Sequence, residues 1–590
     1  MESYTSRKIQ FSAEFGNLKK KYNLISFLRL LCILFALVSL FYYIKTQQSL
    51  FEITAIILVI VFIIFIRIHS KLSNRIKHLE ALISINENEI LFLKKEKIPF
   101  ENGIEFTDFS HPYSYDLDIF GENSLFQNLN RTYTFIGKKI LSQRLLGILT
   151  NDEILQNQVA IKELSKDLDW RQKFAAFAKS AEDNESFYKT LLRWCSFNSA
   201  SLSRISIVLS FVLPILLWCT LGLYFITSNT SFLSVFTFIF TINLGFSGVF
   251  LNRIQAENAQ STNIDKVIKQ YGLLLEIIEI KDFESEKLKG FQQKLTTSDG
   301  TSSTKIKQLS ELFSRMDSIG NIISAVLFNG LFLFHFHNLR AIIQWKKSNA
   351  LALENWLAVI GEFEMLNSLA NFSFNNPQFA FPTLNSNYEI SFSNVSHPLL
   401  NENSRIGNDI SFNPQTFTIL TGSNMSGKST FLRSLGVNMV LAGIGAPVCA
   451  NQAKVHPLSV LVSMRLSDSL SDSESYFYAE IKRLKLIIDA LNDQRSFVLL
   501  DEILRGTNSD DKRNGTIEFI KNIINKNAIG VIATHDIEVC LTTDEFPNQL
   551  TNRCFEVEIS NDDLHFDYKL YNGICKNKSA TFLMKKMGVI

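Results

Sequence analysis

The sequence feature that most constrains the fold is a ten-residue stretch, TGSNMSGKST, which begins at Thr421. From Gly422 to Ser429 it fills every fixed position of the phosphate-loop pattern G-x-x-x-x-G-K-[ST], directly after an apolar, strand-like run at residues 417–420. Such a loop needs a strand before it and a helix after it, because backbone N–H groups and the positive helix end must face one anion. The stretch therefore predicts a strand–loop–helix unit of an α/β domain. A chance match in a Gly/Ser turn is the alternative.

The pattern also predicts roles for its side chains. Lys428 would reach the β- and γ-phosphate oxygens of a nucleotide, and Ser429 would ligate Mg²⁺. The expected cofactors are therefore ATP and Mg²⁺. The predicted nucleotide-binding residues are Gly422, Ser423, Asn424, Met425, Ser426, Gly427, Lys428, Ser429 and Thr430.

Two more apolar runs end in polar residues that suit phosphate chemistry. Residues 497–500 resemble a buried parallel strand and are followed by Asp501 and Glu502. Asp501 would complete the magnesium shell, and Glu502 would polarise the attacking water. Residues 529–533 form a third run, followed by His535, which we expect to sense the γ-phosphate. The catalytic candidates are thus Lys428, Glu502 and His535, with a purely structural histidine as the alternative for His535.

Composition limits the remaining possibilities. At 590 residues the chain is long enough for several domains, and its formal net charge of +2 gives no strong basic field of the kind that marks tight nucleic-acid binding. A local basic stripe remains compatible with this balance. The seven cysteines are scattered without a C-x-x-C pair, which predicts reduced thiols and neither a zinc site nor a disulfide framework.

Long apolar segments predict membrane hairpins. Residues 25–44 and 51–68 are each close to the ~20 residues that a helix needs to cross a bilayer, and a short connection separates them. A cleaved signal peptide is a poor alternative, because two such segments follow each other. Residues 205–226 and 231–250 predict a second hairpin, for which two buried helices are the alternative. A shorter run at 322–336 is interpreted as a buried core helix, with a fifth span as the alternative.

Basic residues predict the orientation of these spans. They flank the spans on the side away from the connecting loops, which predicts a multi-pass protein whose N-terminus and remaining domains face the cytoplasm. These residues are Lys19, Lys20, Lys21, Arg67, Lys71, Arg75, Lys77, Arg193, Arg204 and Arg253.

Four motifs together resemble a known family. TGSNMSGKST, DSLSDSESYFYAEIKRL, FVLLDEILRGTNSDD and ATHDIEV closely resemble the ATPase domain of MutS-type DNA mismatch repair proteins, a branch of the ABC ATPase superfamily. Residues 117–146 resemble the start of the MutS core helical domain, and residues 354–382 resemble the long helix that leads to the ATPase. The resemblance implies an α/β P-loop ATPase domain that follows an all-α core and works as a dimer.

The resemblance also implies a role for the segment between the two nucleotide motifs. In the family this segment reaches across the dimer to the partner's γ-phosphate, and by motif position that role falls on Ser475, with Glu480 nearby. A solvated acidic loop at 471–475 is the alternative.

The expected organisation combines the motifs with the apolar segments. Residues 1–70 would form the first transmembrane hairpin, residues 71–110 a helical linker, residues 111–385 the helical core with the second hairpin, and residues 386–590 the ATPase domain. The first hairpin stands where the family's mismatch-recognition domain would lie, and the second occupies much of the interval of its DNA clamp.

The expected function is that of a membrane-anchored, homodimeric MutS-like ATPase with ATP-dependent DNA binding, in mismatch repair or DNA-structure processing. One alternative is a nucleotide-driven membrane scaffold that binds a protein partner. An ABC-transporter half is a weaker alternative, because the Leu-Ser-Gly-Gly-Gln loop is absent and four spans are too few.

Overall fold

The structure is a computed structural model that describes residues 1–197, 200–259, 264–297, 300–317, 321–423, 425–465, 476–560 and 563–575. Two long helices come first, then a helical body, and then an α/β region. The elements before the α/β region are α1 (Glu2–Thr46), α2 (Ser49–Leu93), a 3-10 turn (Ile104–Phe106), α3 (Leu125–Leu129), α4 (Phe135–Leu145), α5 (Asn151–Lys166), α6 (Leu168–Lys179), α7 (Glu185–Ser196), α8 (Arg204–Thr227), α9 (Thr230–Val249), α10 (Leu251–Ala259), α11 (Ile264–Ile280), α12 (Glu286–Gln293), β1 (Thr296–Thr297), β2 (Gly300–Thr301), α13 (Ser302–Asp317), α14 (Ile322–Phe332) and α15 (Phe334–Asn375).

Four helices among the described residues are long and apolar enough to cross a membrane: α1, α2, α8 and α9. Three of them contain a whole predicted span, and α9 contains all of the fourth except Phe250. The apolar side chains of these segments are mostly exposed. Helices α1 and α2 are 45 residues long, far longer than the predicted spans at 25–44 and 51–68. Their additional turns extend towards the helical body.

Residues 71–93, expected to belong to a helical linker, continue α2 without a break. Their apolar face, which includes Ile76, Leu79 and Leu82, is buried against α1 and α6. A face of this kind stabilises a helix by packing, and a free linker would leave it in water. This segment is therefore part of the packed body.

A buried polar cluster joins the two long helices to α15. The Glu89 carboxylate on α2 accepts hydrogen bonds from Arg131 and from the amides of Asn371 (3.0 Å) and Asn375 (3.1 Å) on α15. The Tyr4 hydroxyl on α1 donates to the side-chain oxygens of Asn371 (3.1 Å) and Asn375 (2.8 Å). A buried carboxylate is tolerated when it is paired and fully hydrogen-bonded, as Glu89 is here.

The prediction of a buried core helix at 322–336 is wrong for residues 322–332, whereas the last residues of the run, including Leu333 and Phe336, are buried. Helix α14 ends at Phe332, Leu333 adopts φ 52°, and the chain turns by 83° into α15. Most apolar side chains of α14 are exposed, with Ile322 at 78% and Ile323 at 73%. The helix contacts α9, and Phe240 packs closely against Gly330. Apolar residues alone did not distinguish a core helix from one that lies beside the candidate membrane helices α8 and α9. The bent pair α14–α15 is compatible with a fifth, broken span.

The α/β region contains two larger sheets and a small hairpin. Its elements are β3 (Thr383–Leu384), β4 (Ser391–Val395), β5 (Asn408–Ser411), β6 (Phe417–Gly422), α16 (Lys428–Gly443), β7 (Gln452–Val455), β8 (Ser459–Ser463), α17 (Tyr476–Asp493), β9 (Ser496–Asp501), α18 (Ser509–Asn525), β10 (Ile529–Ala533), α19 (Ile537–Cys540), α20 (Thr542–Glu545), β11 (Leu550–Phe555), β12 (Glu558–Ser560), β13 (Asp563–His565) and β14 (Leu570–Asn572).

The main sheet has the strand order β14-β11-β6-β10-β9-β8, and all its pairings are parallel except β14 with β11. Strands β6, β9 and β10 are buried along their whole length, as expected for central parallel strands. The predicted strand–loop–helix unit is confirmed by β6 and α16. Strands β6, β10 and β9 are neighbours, so their carboxyl ends lie side by side. The phosphate loop after β6, the Asp501–Glu502 pair at the end of β9 and His535 after β10 are therefore close together.

Candidate functional site

The phosphate loop connects β6 to α16 and depends on its glycines. Gly422 has φ 155°, and a β-carbon there would lie 2.7 Å from the Ser426 hydroxyl oxygen. Gly427, at the start of α16, has φ 100°, a left-handed conformation that side chains disfavour. Met425 also has a positive φ of 70°. Asn424 lies outside the described residues. The turn therefore has the form that a phosphate loop requires.

Lys428 lies in the first turn of α16 and points back over this loop. Its ammonium donates hydrogen bonds to the carbonyl oxygens of Gly422 (2.8 Å) and Ser423 (3.0 Å). Burial lowers the pKa of Lys428, while the carboxylates of Glu502 and Asp501 oppose this shift. The cation is thus held at the loop, where the β- and γ-phosphates of a nucleotide would pass.

Ser429 and Asp501 form the expected magnesium pair. The Ser429 hydroxyl donates to a carboxylate oxygen of Asp501 at 2.5 Å, although 72 residues separate them. Mg²⁺ is usually held by one or two protein oxygens together with water and substrate phosphates. Within the described part of the chain, no group of three or more His, Cys, Asp or Glu residues could hold a metal by itself. The donor set fits Mg²⁺ that arrives with a nucleotide.

His535 contacts the predicted catalytic carboxylate. Its Nε2 lies 2.5 Å from Oε1 of Glu502. The hydrogen bond from His535 lowers the pKa of Glu502 to about 2, against the effect of burial, with further lowering by Arg505 and Lys428. We expected His535 to sense the γ-phosphate, and in the structure its observed partner is Glu502. The reason is strand register: Ala533 pairs with Asp501, so the residues that follow β10 and β9 are neighbours.

Glu480 is buried on α17 and holds the loop that follows β9. Its carboxylate oxygens accept hydrogen bonds from the backbone N–H groups of Leu504 (2.6 Å) and Arg505 (3.1 Å). From motif position we expected only that Glu480 lies near the segment that reaches the partner. Ser475, like residues 466–474, lies outside the described residues, and its role stays a prediction.

A cavity of about 390 Å³ beside the phosphate loop was not predicted from the sequence. It contacts Gly427 and Thr430 and is lined by aromatic and aliphatic side chains from distant parts of the chain. Burial and the nearby Arg433 lower the pKa of His397 to about 4, so this lining imidazole is neutral at neutral pH. The main lining residues are Val395, His397, Leu400, Ile406, Phe431, Phe555 and Tyr568.

Comparison with known proteins gives a consistent result. A family model described as MutS domain V matches residues 418–588. The chain is 32% identical over 234 residues to the DNA mismatch repair protein MutS of Ehrlichia chaffeensis, covering 39% of this chain and 28% of that protein. It is 25% identical over 341 residues to the protein of the same name from Thermotoga neapolitana, covering 56% and 38%. The human MutS protein homolog 4 is 30% identical over 170 residues, covering 28% and 18%.

The chain thus spans well under half the length of each of these relatives. The matched region contains the phosphate loop, the Ser429–Asp501 pair and the Glu502–His535 pair. Residues 418–588 therefore match a MutS-type ATPase domain, and through this domain the chain is related to MutS proteins.

Proposed function

We propose that this chain is a membrane-anchored ATPase that hydrolyses Mg²⁺-ATP on the cytoplasmic side of a membrane and couples the nucleotide cycle to DNA binding. The observation that carries the proposal is the assembly of a phosphate loop, a Ser–Asp pair and a Glu–His pair at the ends of three adjacent parallel strands. Phosphoryl transfer needs these elements: a cradle for phosphate, oxygen ligands for Mg²⁺ and a group that orients water.

Each group has a defined task in hydrolysis. The loop N–H groups and Lys428 would bind the β- and γ-phosphates, and Ser429 and Asp501 would hold a Mg²⁺ that offsets phosphate charge. Glu502 accepts a hydrogen bond from the attacking water and so fixes its direction. With a pKa of about 2, Glu502 is ionised throughout the physiological range. A carboxylate this acidic is a weak proton acceptor, so we assign it mainly an orienting role. His535 keeps its side chain in place.

The cavity beside the loop is assigned to the nucleoside. Phosphates on the loop would place the sugar and base next to Gly427 and Thr430, where Tyr568, Phe431 and Ile406 offer flat and apolar surfaces. The ring of Tyr568 lies close to Gly427, with 3.1 Å between its Cδ1 and a β-carbon built at that glycine. We propose that Tyr568 stacks on the base.

The membrane assignment rests on α1, α2, α8 and α9, whose apolar side chains are exposed on helices of spanning length. An exposed apolar surface of this extent is stable in lipid and would aggregate in water. Basic residues at 19–21, at 67–77 and at 193, 204 and 253 support a cytoplasmic location for the helical body and the ATPase domain.

Dimerisation and DNA binding are proposals carried by family membership. Two of the named relatives are DNA mismatch repair proteins by name, and proteins of the MutS family work as dimers. We propose a homodimer through the ATPase domains with Ser475 of each subunit at the partner's nucleotide; a specific ATPase rate that does not change on dilution would argue against a reversible dimer. A membrane scaffold for a protein partner is the second candidate, favoured by the near-neutral net charge of +2.

Glu502→Gln should slow hydrolysis strongly and leave nucleotide binding intact, because the amide keeps the shape and loses the carboxylate that orients water. We expect kcat to fall about 10²–10³-fold, a range typical for loss of one preorganised group. Lys428→Ala should instead weaken ATP binding. Steady-state hydrolysis and binding of a fluorescent ATP analogue measure the two effects. A wild-type rate in Glu502→Gln would refute the assignment.

Tyr568→Ala should weaken ATP binding by roughly 5- to 150-fold, the equivalent of about 1–3 kcal/mol for one aromatic–base stack. Tyr388→Ala is the matched control. Tyr388 is similarly exposed, at 40% against 44% for Tyr568, and also has a positive φ, but its ring packs on His456. Titration of a fluorescent ATP analogue measures the dissociation constants. Equal affinities for both variants would remove Tyr568 from the nucleoside site.

The topology predicts which loops a membrane-impermeant thiol reagent reaches in intact cells. A cysteine at exposed Asn229, between α8 and α9, should be labelled, and one at exposed Asn387 in the ATPase domain should not. The background should lack Cys32, Cys195, Cys219 and Cys575 and keep the three buried cysteines. Labelling at Asn387 but not at Asn229 would reverse the orientation.

DNA binding and protein binding predict different salt dependences. If the full chain in detergent binds DNA through phosphate contacts, the logarithm of its affinity should fall linearly with the logarithm of salt concentration. The measurement uses fluorescence anisotropy of perfect, mismatched and branched duplexes, with and without ATP. No binding of any of these at low salt would favour the protein-scaffold function.

A further inference from the structure

The loop that carries Glu502 has an uncommon backbone. Glu502 has φ 51° and Leu504 has φ 60°, both in the left-handed region that residues other than glycine rarely adopt. Such conformations persist where the surrounding structure fixes them, and they are frequent at active sites. The direction of the Glu502 side chain therefore depends on what holds residues 501–505.

One set of restraints comes from the strands and from the loop itself. The Glu502 N–H donates to the Ala533 carbonyl at 3.0 Å. The Arg505 guanidinium donates to the carbonyl oxygens of Glu502 (2.8 Å) and Asp501 (2.9 Å). These contacts fix the beginning of the loop. They do not satisfy the N–H groups of Leu504 and Arg505, which need other hydrogen-bond acceptors.

Glu480 supplies those partners from a different element. Its side chain is on α17 and 3% exposed, and its two oxygens accept from the N–H groups of Leu504 and Arg505 at 2.6 and 3.1 Å. A buried carboxylate that binds two consecutive N–H groups is a strong, directional restraint, because both the charge and the amides would otherwise be unsatisfied. Close packing of Phe477 against Gly506 brings α17 to the same loop.

Helix α17 is itself bound to residues 112–116, which lie between α2 and α3. The Arg483 guanidinium, one turn after Glu480, donates to the Asp116 carboxylate at 2.7 Å and to the carbonyl oxygens of Pro112 (3.1 Å) and Val462 (3.2 Å). Asp116 is buried and also accepts from the N–H groups of Met464 (2.9 Å) and Arg465 (2.7 Å). The position of Glu480 is therefore set by a contact outside the nucleotide-binding motifs.

We propose that Glu480 is a positioning residue for hydrolysis: it holds the 502–505 loop so that the Glu502 carboxylate faces the attacking water. Because Arg483 binds Asp116, the orientation of the Glu502 side chain then depends on how α17 packs against residues 112–116. The inference rests on the proposed ATP hydrolysis. It adds a residue whose observed hydrogen bonds go to Leu504 and Arg505, and not to the phosphate loop or to the Ser429–Asp501 pair.

The test uses Glu480→Ala and Glu480→Gln in the full chain. Loss of the restraint should lower kcat about 10- to 100-fold in Glu480→Ala, the scale of an ångström-level misplacement of a catalytic group. The dissociation constant for an ATP analogue should stay within about 2-fold, because the phosphate loop and Ser429 are untouched. Glu480→Gln keeps one acceptor oxygen and should give an intermediate kcat. Asp489→Ala, on the exposed face of α17, is the matched control and should match the wild type.

A double-mutant cycle separates positioning from a general structural role. If Glu480 acts through Glu502, adding Glu480→Ala to Glu502→Gln should cause no further loss of kcat. A further loss of the full single-mutant size would overturn the inference, as would a wild-type kcat in Glu480→Ala. A parallel fall in ATP affinity and thermal midpoint in both Glu480 variants would also overturn it. A wild-type rate in Glu502→Gln alone would instead refute the proposed role of Glu502, which distinguishes the two failures.

Discussion

Gly530 has no side chain at a point where a β-carbon would lie 1.8 Å from the carbonyl oxygen of Val498. Strands β9 and β10 can lie in their observed register only because this space is free. That register pairs Ala533 with Asp501, and it makes neighbours of the segments that carry Glu502 and His535. The pairing of β10 with β6 then places both segments beside the phosphate loop. The site is therefore a consequence of strand pairing deep in the sheet.

The sequence predicted the parts of the site that lie at strand ends. The phosphate loop, Ser429, Asp501 and Glu502 are where local patterns place them, because a parallel strand presents the residues after it at a fixed edge. The Glu502–His535 contact could not be predicted, since it depends on register between two strands. The cavity beside the phosphate loop was missed for a similar reason: His397, Phe431 and Tyr568 are far apart in the chain and share no motif.

The helical part shows a different limit. Apolar runs correctly indicated four long helices, but they did not show where each helix ends. Residues 71–93 continue α2 because Ile76, Leu79 and Leu82 pack against α1 and α6. This is a tertiary contact that the local sequence does not show. The run at 322–336 could not be placed by hydropathy, because Leu333 breaks it and the first half lies beside α9. In both cases, the neighbouring helices against which the segment packs determined its structure.

Helix α15 runs without a break from the candidate membrane helices to the segment that leads into the α/β region. It is 42 residues long, so it spans about 63 Å at 1.5 Å per residue. Its first turns contact α8, where His337 lies 3.1 Å from the Ser210 carbonyl, and its last turns carry the asparagines that bind Glu89. A tilt of about 5° at the first end would displace the other end by about 5 Å by the same arithmetic. Tilting is one way in which a spanning helix adjusts to the hydrocarbon thickness of the bilayer. If the candidate spans lie in a bilayer, as proposed, a change in their tilt would be carried along α15 to the strands that begin at Thr383.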